Sequence, residues 1–134
     1  MAGVKVRGEI FHCNVCGNVV GVTSAGGGEL VCCGKPMELQ IEKTTEAGTE
    51  KHLPVLVLKN NVTEVMIGEI PHPMEIGHHI EWVEIQSNRR IFRYYFSPGD
   101  EPKVDFIIEN EKILSVRAYC NVHGLWSKAV ENQV

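Results

Sequence analysis

From residue 55 onward, apolar and polar positions alternate with the two-residue period of half-buried β-strands. Val104, Phe106 and Ile108 interleave with Asp105 and Glu109, and Phe92, Tyr94 and Phe96 interleave with Arg93 and Tyr95. Leu114, Val116, Ala118 and Cys120 fall on one face of a further strand, opposite Ser115, Arg117 and Tyr119. The pattern predicts strands over 55–59, 62–69, 79–87 and 113–120, divided by turn-forming runs such as Ser97-Pro98-Gly99-Asp100 and Asn110-Glu111-Lys112. No stretch carries a sustained helical period. Short strands at these spacings predict an all-β, antiparallel sandwich.

The N-terminal third is different. Residues 4–42 are rich in glycine turns, and Val19, Val20, Val22, Leu30 and Val31 suffice only for a few short strands. So little apolar mass builds almost no core, and a bound metal is expected to staple the piece together. Residues 43–54, KTTEAGTEKHLP, read as a loop. The expected organisation is a small metal-stapled domain over residues 1–40 and a sandwich domain over 41–134.

Composition narrows the function classes. The chain has 134 residues, 43% hydrophobic and 22% charged, with a net charge of −4. An acidic chain of pI about 5.8 offers no electrostatic footprint for nucleic acid. No apolar run approaches the roughly 18 residues that cross a bilayer, and MAGVKVRGEI carries no signal-peptide core. A reducing cytoplasm is therefore the expected compartment, where clustered cysteines serve as ligands rather than disulfides. The odd number of cysteines, 5, agrees.

Those cysteines and the histidines form two sets of different softness. Cys13 and Cys16 form a C-x-x-C turn, and Cys32-Cys33 follows fifteen residues after it. A C-x-x-C turn aims two sulfurs into one cavity, and a second pair completes a tetrahedron. Adjacent cysteines on an extended chain point to opposite sides, so the backbone must bend at Cys32-Cys33 for both to join. A structural zinc knot is the plain reading of this segment, with iron as its alternative. A Cys32–Cys33 disulfide is sterically poor.

The second set is spread along the chain. Cys120 stands three residues before His123, a C-x-x-H spacing that lets both reach one metal from a turn. His72 lies between Pro71 and Pro73, and Gly77 frees the backbone just before His78. His52 sits in the polar loop beside Glu50 and Lys51. Each piece also has a plainer reading: a small core cysteine, a surface turn with incidental histidines, a solvated linker. His79 and His12 are left out of the second set, His79 because it should point away from His78.

Taken together, the pieces resemble the desulfoferrodoxin family, the two-iron superoxide reductases. The elements are C-x-x-C-G at Cys13–Gly17, L-V-C-C-G-x-P-M at Leu30–Met37, E-K-H-x-P at Glu50–Pro54, H-P-M-E-x-x-H at His72–His78 and Y-C-N-x-H-G at Tyr119–Gly124. They occur in family order over nearly the whole chain.

The resemblance implies a desulforedoxin-like iron held by Cys13, Cys16, Cys32 and Cys33, and an immunoglobulin-like sandwich after it. It implies a second, ferrous iron with His52, His72, His78 and His123 equatorial and Cys120 as axial thiolate. It further implies one-electron reduction of superoxide to hydrogen peroxide, an external donor such as rubredoxin, and a homodimer. Lys51 is then the residue that steers the anion and organises water for protonation, and Glu50 fills the sixth position of the ferric metal. Backbone N–H groups of the Asn121–Val122–His123 turn are expected to bond the Cys120 sulfur. The four-cysteine iron serves as a staple or an electron relay. Two rival readings stay open: an electron-transfer iron protein that turns over no substrate, and a zinc-stapled binding module.

Overall fold

The computed structural model describes residues 3–45, 52–68 and 71–130. The chain divides into two compact units, Met1–Ile41 and Glu42–Val134. All regular structure among the described residues is β, and no helix there is long and apolar enough to cross a membrane.

The first unit contains β1 (Ile10–His12), β2 (Val19–Gly21), β3 (Val31–Cys32), β4 (Lys35–Pro36) and β5 (Glu38–Leu39). A small sheet runs in the order β2-β1-β5, and β3 and β4 pair as a separate hairpin. Phe11 is the pivot, paired with Val20 on one side and Leu39 on the other. Its ring is fully buried, with Val4, Cys13 and Met37 as its buried neighbours. Burying one such ring is worth about 1.5–3 kcal/mol, too little to hold 41 residues without further help. One of the core residues is itself a cysteine of the candidate site.

The second unit contains β6 (Pro54–Lys59), β7 (Val62–Ile67), β8 (Ile80–Ser87), β9 (Ile91–Tyr95), β10 (Lys103–Ile107), β11 (Ile113–Cys120) and β12 (Gly124–Ala129). They form two antiparallel sheets, β10-β7-β6 and β12-β11-β8-β9. Val65 and Ile67 from one sheet and Ile80, Val83, Ile85, Val116 and Ala118 from the other share one core, so the sheets face each other as a sandwich. Asn60, at φ 52°, closes the β6–β7 hairpin in the left-handed conformation that asparagine tolerates.

One strand departs from the expected alternation. Leu114 is 45% exposed, while Ile113 is buried in the core. The register of β11 against β8 shifts between Ile113 and Ser115, and such a bulge moves the preceding side chain to the other face. Beyond it the expected face holds: Val116, Ala118 and Cys120 are fully buried.

The opposite face of that sheet is also covered, and it carries charge. Glu84 on β8 is fully buried and accepts from Arg93 Nε at 2.9 Å and from Arg117 Nε at 3.0 Å. Arg117, 2% exposed, also reaches Glu42 at 3.5 Å. A carboxylate this deep is tolerable only because two guanidinium groups satisfy it.

Candidate metal centres

In the first unit the Sγ atoms of Cys13, Cys16, Cys32 and Cys33 all lie within 4.8 Å of one another. The Cys13–Gly17 turn is closed by Gly17 N donating to Cys13 O at 2.9 Å, with Gly17 at φ 86°, where a side chain would be strained. Cys33 adopts φ 54°, which is the backbone bend that two adjacent ligands need. The Cys16 and Cys32 sulfurs approach to 3.6 Å.

Hydrogen bonds polarise this cluster. The Cys13 thiol is drawn down to about 6 by the backbone N–H of Cys16 and then that of Val15. The Cys33 thiol is pushed up to about 12, chiefly by the Cys16 thiol and then by those of Cys32 and Cys13. Cys32 is raised as well, again with Cys16 as the first cause. The Cys13 thiol ionises readily while the thiols packed around Cys32 and Cys33, that of Cys16 foremost, hold those two protonated, so a cation is what lets all four ionise. Asn18 supports the site twice, through N to Cys16 Sγ at 3.5 Å and Nδ2 to Cys32 Sγ at 3.8 Å.

The second unit gathers the other set. The ligand atoms of His52, His72, His78, Cys120 and His123 likewise lie within 4.8 Å of one another. His52 lies two residues before the start of β6, His72 and His78 lie between β7 and β8, Cys120 ends β11, and His123 lies in the turn to β12. The imidazoles form a closed circuit of edge-on neighbours. Ring centroids are 4.5 Å apart for His52–His72, 5.0 Å for His72–His78, 5.1 Å for His78–His123 and 4.8 Å for His123–His52. Cys120 Sγ lies 3.6 Å from His72 Nε2 and 3.9 Å from His123 Nδ1.

Local structure holds each ring. His72 Nδ1 donates to the Pro73 carbonyl at 2.7 Å, which leaves the Nε2 lone pair directed at the cluster. Glu75 and His78 exchange backbone hydrogen bonds of 2.9 and 3.1 Å, a tight turn that presents His78. The β11–β12 turn brings His123 back over Cys120, with Gly124 at φ 84° paired against Cys120. Asn121 N donates to His79 O at 3.2 Å, which ties the residue after Cys120 to the loop that carries His78. Among the described residues, His79 and His12 lie outside both sets.

A metal fits both clusters. Bonds of about 2.0–2.3 Å place donors on opposite sides of one ion about 4–4.6 Å apart, the scale seen in each set. Four sulfurs form a closed tetrahedral set, whereas five mixed donors leave an octahedral metal one open position. Glu50 and Lys51 lie outside the described residues.

Two residues near the second set escaped the sequence reading. The Trp126 indole stacks on His52 at 4.4 Å and 8°, and Lys43 Nζ donates to the His123 carbonyl at 2.6 Å. A tryptophan two residues past Gly124 on the last strand was the available clue; Lys43 had none, since its partner is 80 residues away.

Comparison with known proteins agrees with this geometry. The family model described as Desulfoferrodoxin, N-terminal domain, matches residues 5–40, and that described as Desulfoferrodoxin matches residues 44–129. The desulfoferrodoxin homolog of Methanothermobacter thermautotrophicus is 48% identical over 118 residues, which is 88% of this chain and 95% of that protein. The superoxide reductase of Pyrococcus abyssi is 34% identical over 100 residues, 61% of this chain and 87% of its own. The crystal structure of the superoxide reductase from Treponema pallidum matches with a TM-score of 0.76, at 24% identity, over 90% of this chain and 96% of its own; that likeness is one of fold. The four-sulfur and four-imidazole–one-sulfur sets fit the two iron sites of desulfoferrodoxin. By sequence over both units, the chain belongs to the desulfoferrodoxin family.

Proposed function

We propose that the chain is a superoxide reductase working at the histidine–cysteine centre. The observation that carries this reading is the circuit of four imidazoles closed over one buried thiol, with every ligand atom within 4.8 Å of the others. A relative similar along 61% of the chain bears the name of that activity. In the proposed site His52, His72, His78 and His123 hold the metal by nitrogen and Cys120 by sulfur. Iron bound there supplies the single electron that, with two protons, turns superoxide into hydrogen peroxide.

The protein supplies the rest. The Pro73 carbonyl fixes the His72 tautomer, and Cys120, fully buried, offers an electron-rich sulfur shielded from water. Lys51 supplies a positive charge that draws a small anion toward an otherwise acidic protein and orders the water that delivers protons. Glu50 would supply a carboxylate to the oxidised metal held by those five residues. Because no second superoxide is oxidised, each turnover takes one electron from an outside one-electron donor, a rubredoxin-like protein. Cys13, Cys16, Cys32 and Cys33 hold the first iron as a staple for a unit too small to sustain itself. The working form is a cytoplasmic homodimer.

Rapid mixing of the reduced, iron-loaded chain with superoxide tests this. One hydrogen peroxide for each superoxide consumed, without dioxygen, is expected. Dioxygen release would indicate dismutation, and an unreacted centre would favour electron transfer without a substrate.

A further inference from the structure

We propose that Lys43 is a positioning residue of the histidine–cysteine centre, a fixed cationic brace that holds the His123 turn and the Trp126–His52 stack and favours the reduced metal. The inference rests on the reading of that centre as an iron site.

Lys43 is fastened by its backbone before its side chain acts. Its N–H donates to Leu125 O at 2.9 Å, its carbonyl accepts from Ser127 N at 2.9 Å, and it bridges Trp126 in parallel register. The neighbouring Glu42 is tied to Arg117 at 3.5 Å. With the main chain held on both sides, the side chain starts from a fixed point, and its ammonium makes two contacts that both lead to candidate ligands.

The first contact is the 2.6 Å hydrogen bond to the carbonyl of His123. That carbonyl belongs to the turn that returns His123 Nδ1 to 3.9 Å from Cys120 Sγ and 3.1 Å from His52 Nε2. The second is a cation–π contact, with Nζ 5.3 Å from the Trp126 ring centroid. Trp126 in turn stacks on His52 with the rings 8° from parallel. Among the described residues no acceptor meets the buried Trp126 Nε1, so the indole acts here through its ring faces. One cation therefore braces His123 through a carbonyl and His52 through an aromatic spacer.

Its charge has a direction of effect. A positive group beside a metal centre disfavours the more highly charged oxidised state, so removing it shifts the balance toward ferric. Lys43 is exposed, so solvent screens the effect, and it remains modest.

The test uses the full-length, iron-loaded protein and the variants Lys43→Met, Lys43→Gln and Lys43→Arg. The readout is the ferrous-to-ferric ratio of the histidine–cysteine iron at a fixed solution potential, followed by its absorption. Lys43→Met and Lys43→Gln are expected to lower that ratio about threefold to tenfold, a tenfold change being 59 mV for one electron. Lys43→Arg, which keeps charge and donor, is expected to match wild type. Failure of Lys43→Met to take up the second iron, with Lys43→Arg loading normally, would also support the brace. A wild-type ratio in Lys43→Met overturns the proposal, and one in Lys43→Gln overturns the role of charge. Wild-type protein that takes no iron at this centre overturns the parent reading together with the brace, an outcome separate from an iron-loaded but unshifted variant.

Discussion

The Asn121 side-chain oxygen accepts the backbone N–H of His79 at 2.8 Å, and so fastens the turn after Cys120 to the loop that carries His78. Its Nδ2 donates to Gly77 O at 3.1 Å, so the one carboxamide grips the residues on both sides of His78. A sulfur donor and an imidazole donor 42 residues apart are thereby registered by one side chain.

Asn121→Ala removes both hydrogen bonds, each worth about 1 kcal/mol net, and frees His78 from its position relative to Cys120. Metal affinity at the second centre is expected to fall roughly 10–100-fold, the usual loss when a supporting group is removed. Competition against a chelator of known affinity measures this. Unchanged affinity would mean that the Glu75–His78 turn alone sets the imidazole.

Glu84 makes a prediction about stability alone. Glu84→Ala leaves Arg117 buried without its carboxylate, at a cost of roughly 3–5 kcal/mol. For a unit of this size that is a fall of more than about 10 °C in melting temperature, read by thermal unfolding. A melting point within a few degrees of wild type would show that water or Glu42 rescues Arg117.

The thiol cluster should make the metal-free first unit pH-dependent in both directions. Cys13 is held near 6 when folded, against an ordinary thiol near 9, so its contribution is present above 9 and is lost as pH falls through 6. Cys33 is raised to about 12, so its contribution is complete below 9 and is lost as pH rises toward 12. Reduced, chelator-treated protein is expected to be most stable near pH 9, by unfolding measured across the series. A flat profile would mean that the thiols do not interact in the metal-free state.

Lys51→Ala, which removes the proposed steering charge, is expected to slow the encounter with superoxide at least about tenfold, equivalent to ~1.4 kcal/mol. The residual rate should also lose most of its dependence on ionic strength. An unchanged second-order rate at low salt would assign the attraction to another group.

Much of this architecture is legible from residue order. Alternation located β6 to β11 because each sheet has one face in a shared core; it missed β12, and it misplaced Leu114 because a bulge adds a residue that no periodicity registers. The need for a bend at Cys32-Cys33 followed from side-chain direction alone, and Cys33 has it. The contacts of Lys43, Trp126 and Asn121 were not readable. They arise when segments 42 to 83 residues apart pair in space, and a single side chain carries no mark of its distant partner.

The most direct measurement is an azide titration of the iron-loaded protein, followed by absorption and electron paramagnetic resonance, for wild type and Cys120→Ser. If five side chains hold an iron with one position left for a small anion, azide shifts the spectrum of wild type with one equivalent per second-site iron. Cys120→Ser is then expected to lose the sulfur-to-iron absorption of that centre while keeping that of the four-cysteine centre. A wild-type spectrum indifferent to azide in both oxidation states, or a Cys120→Ser spectrum identical to wild type, would contradict a substrate-binding iron at this place.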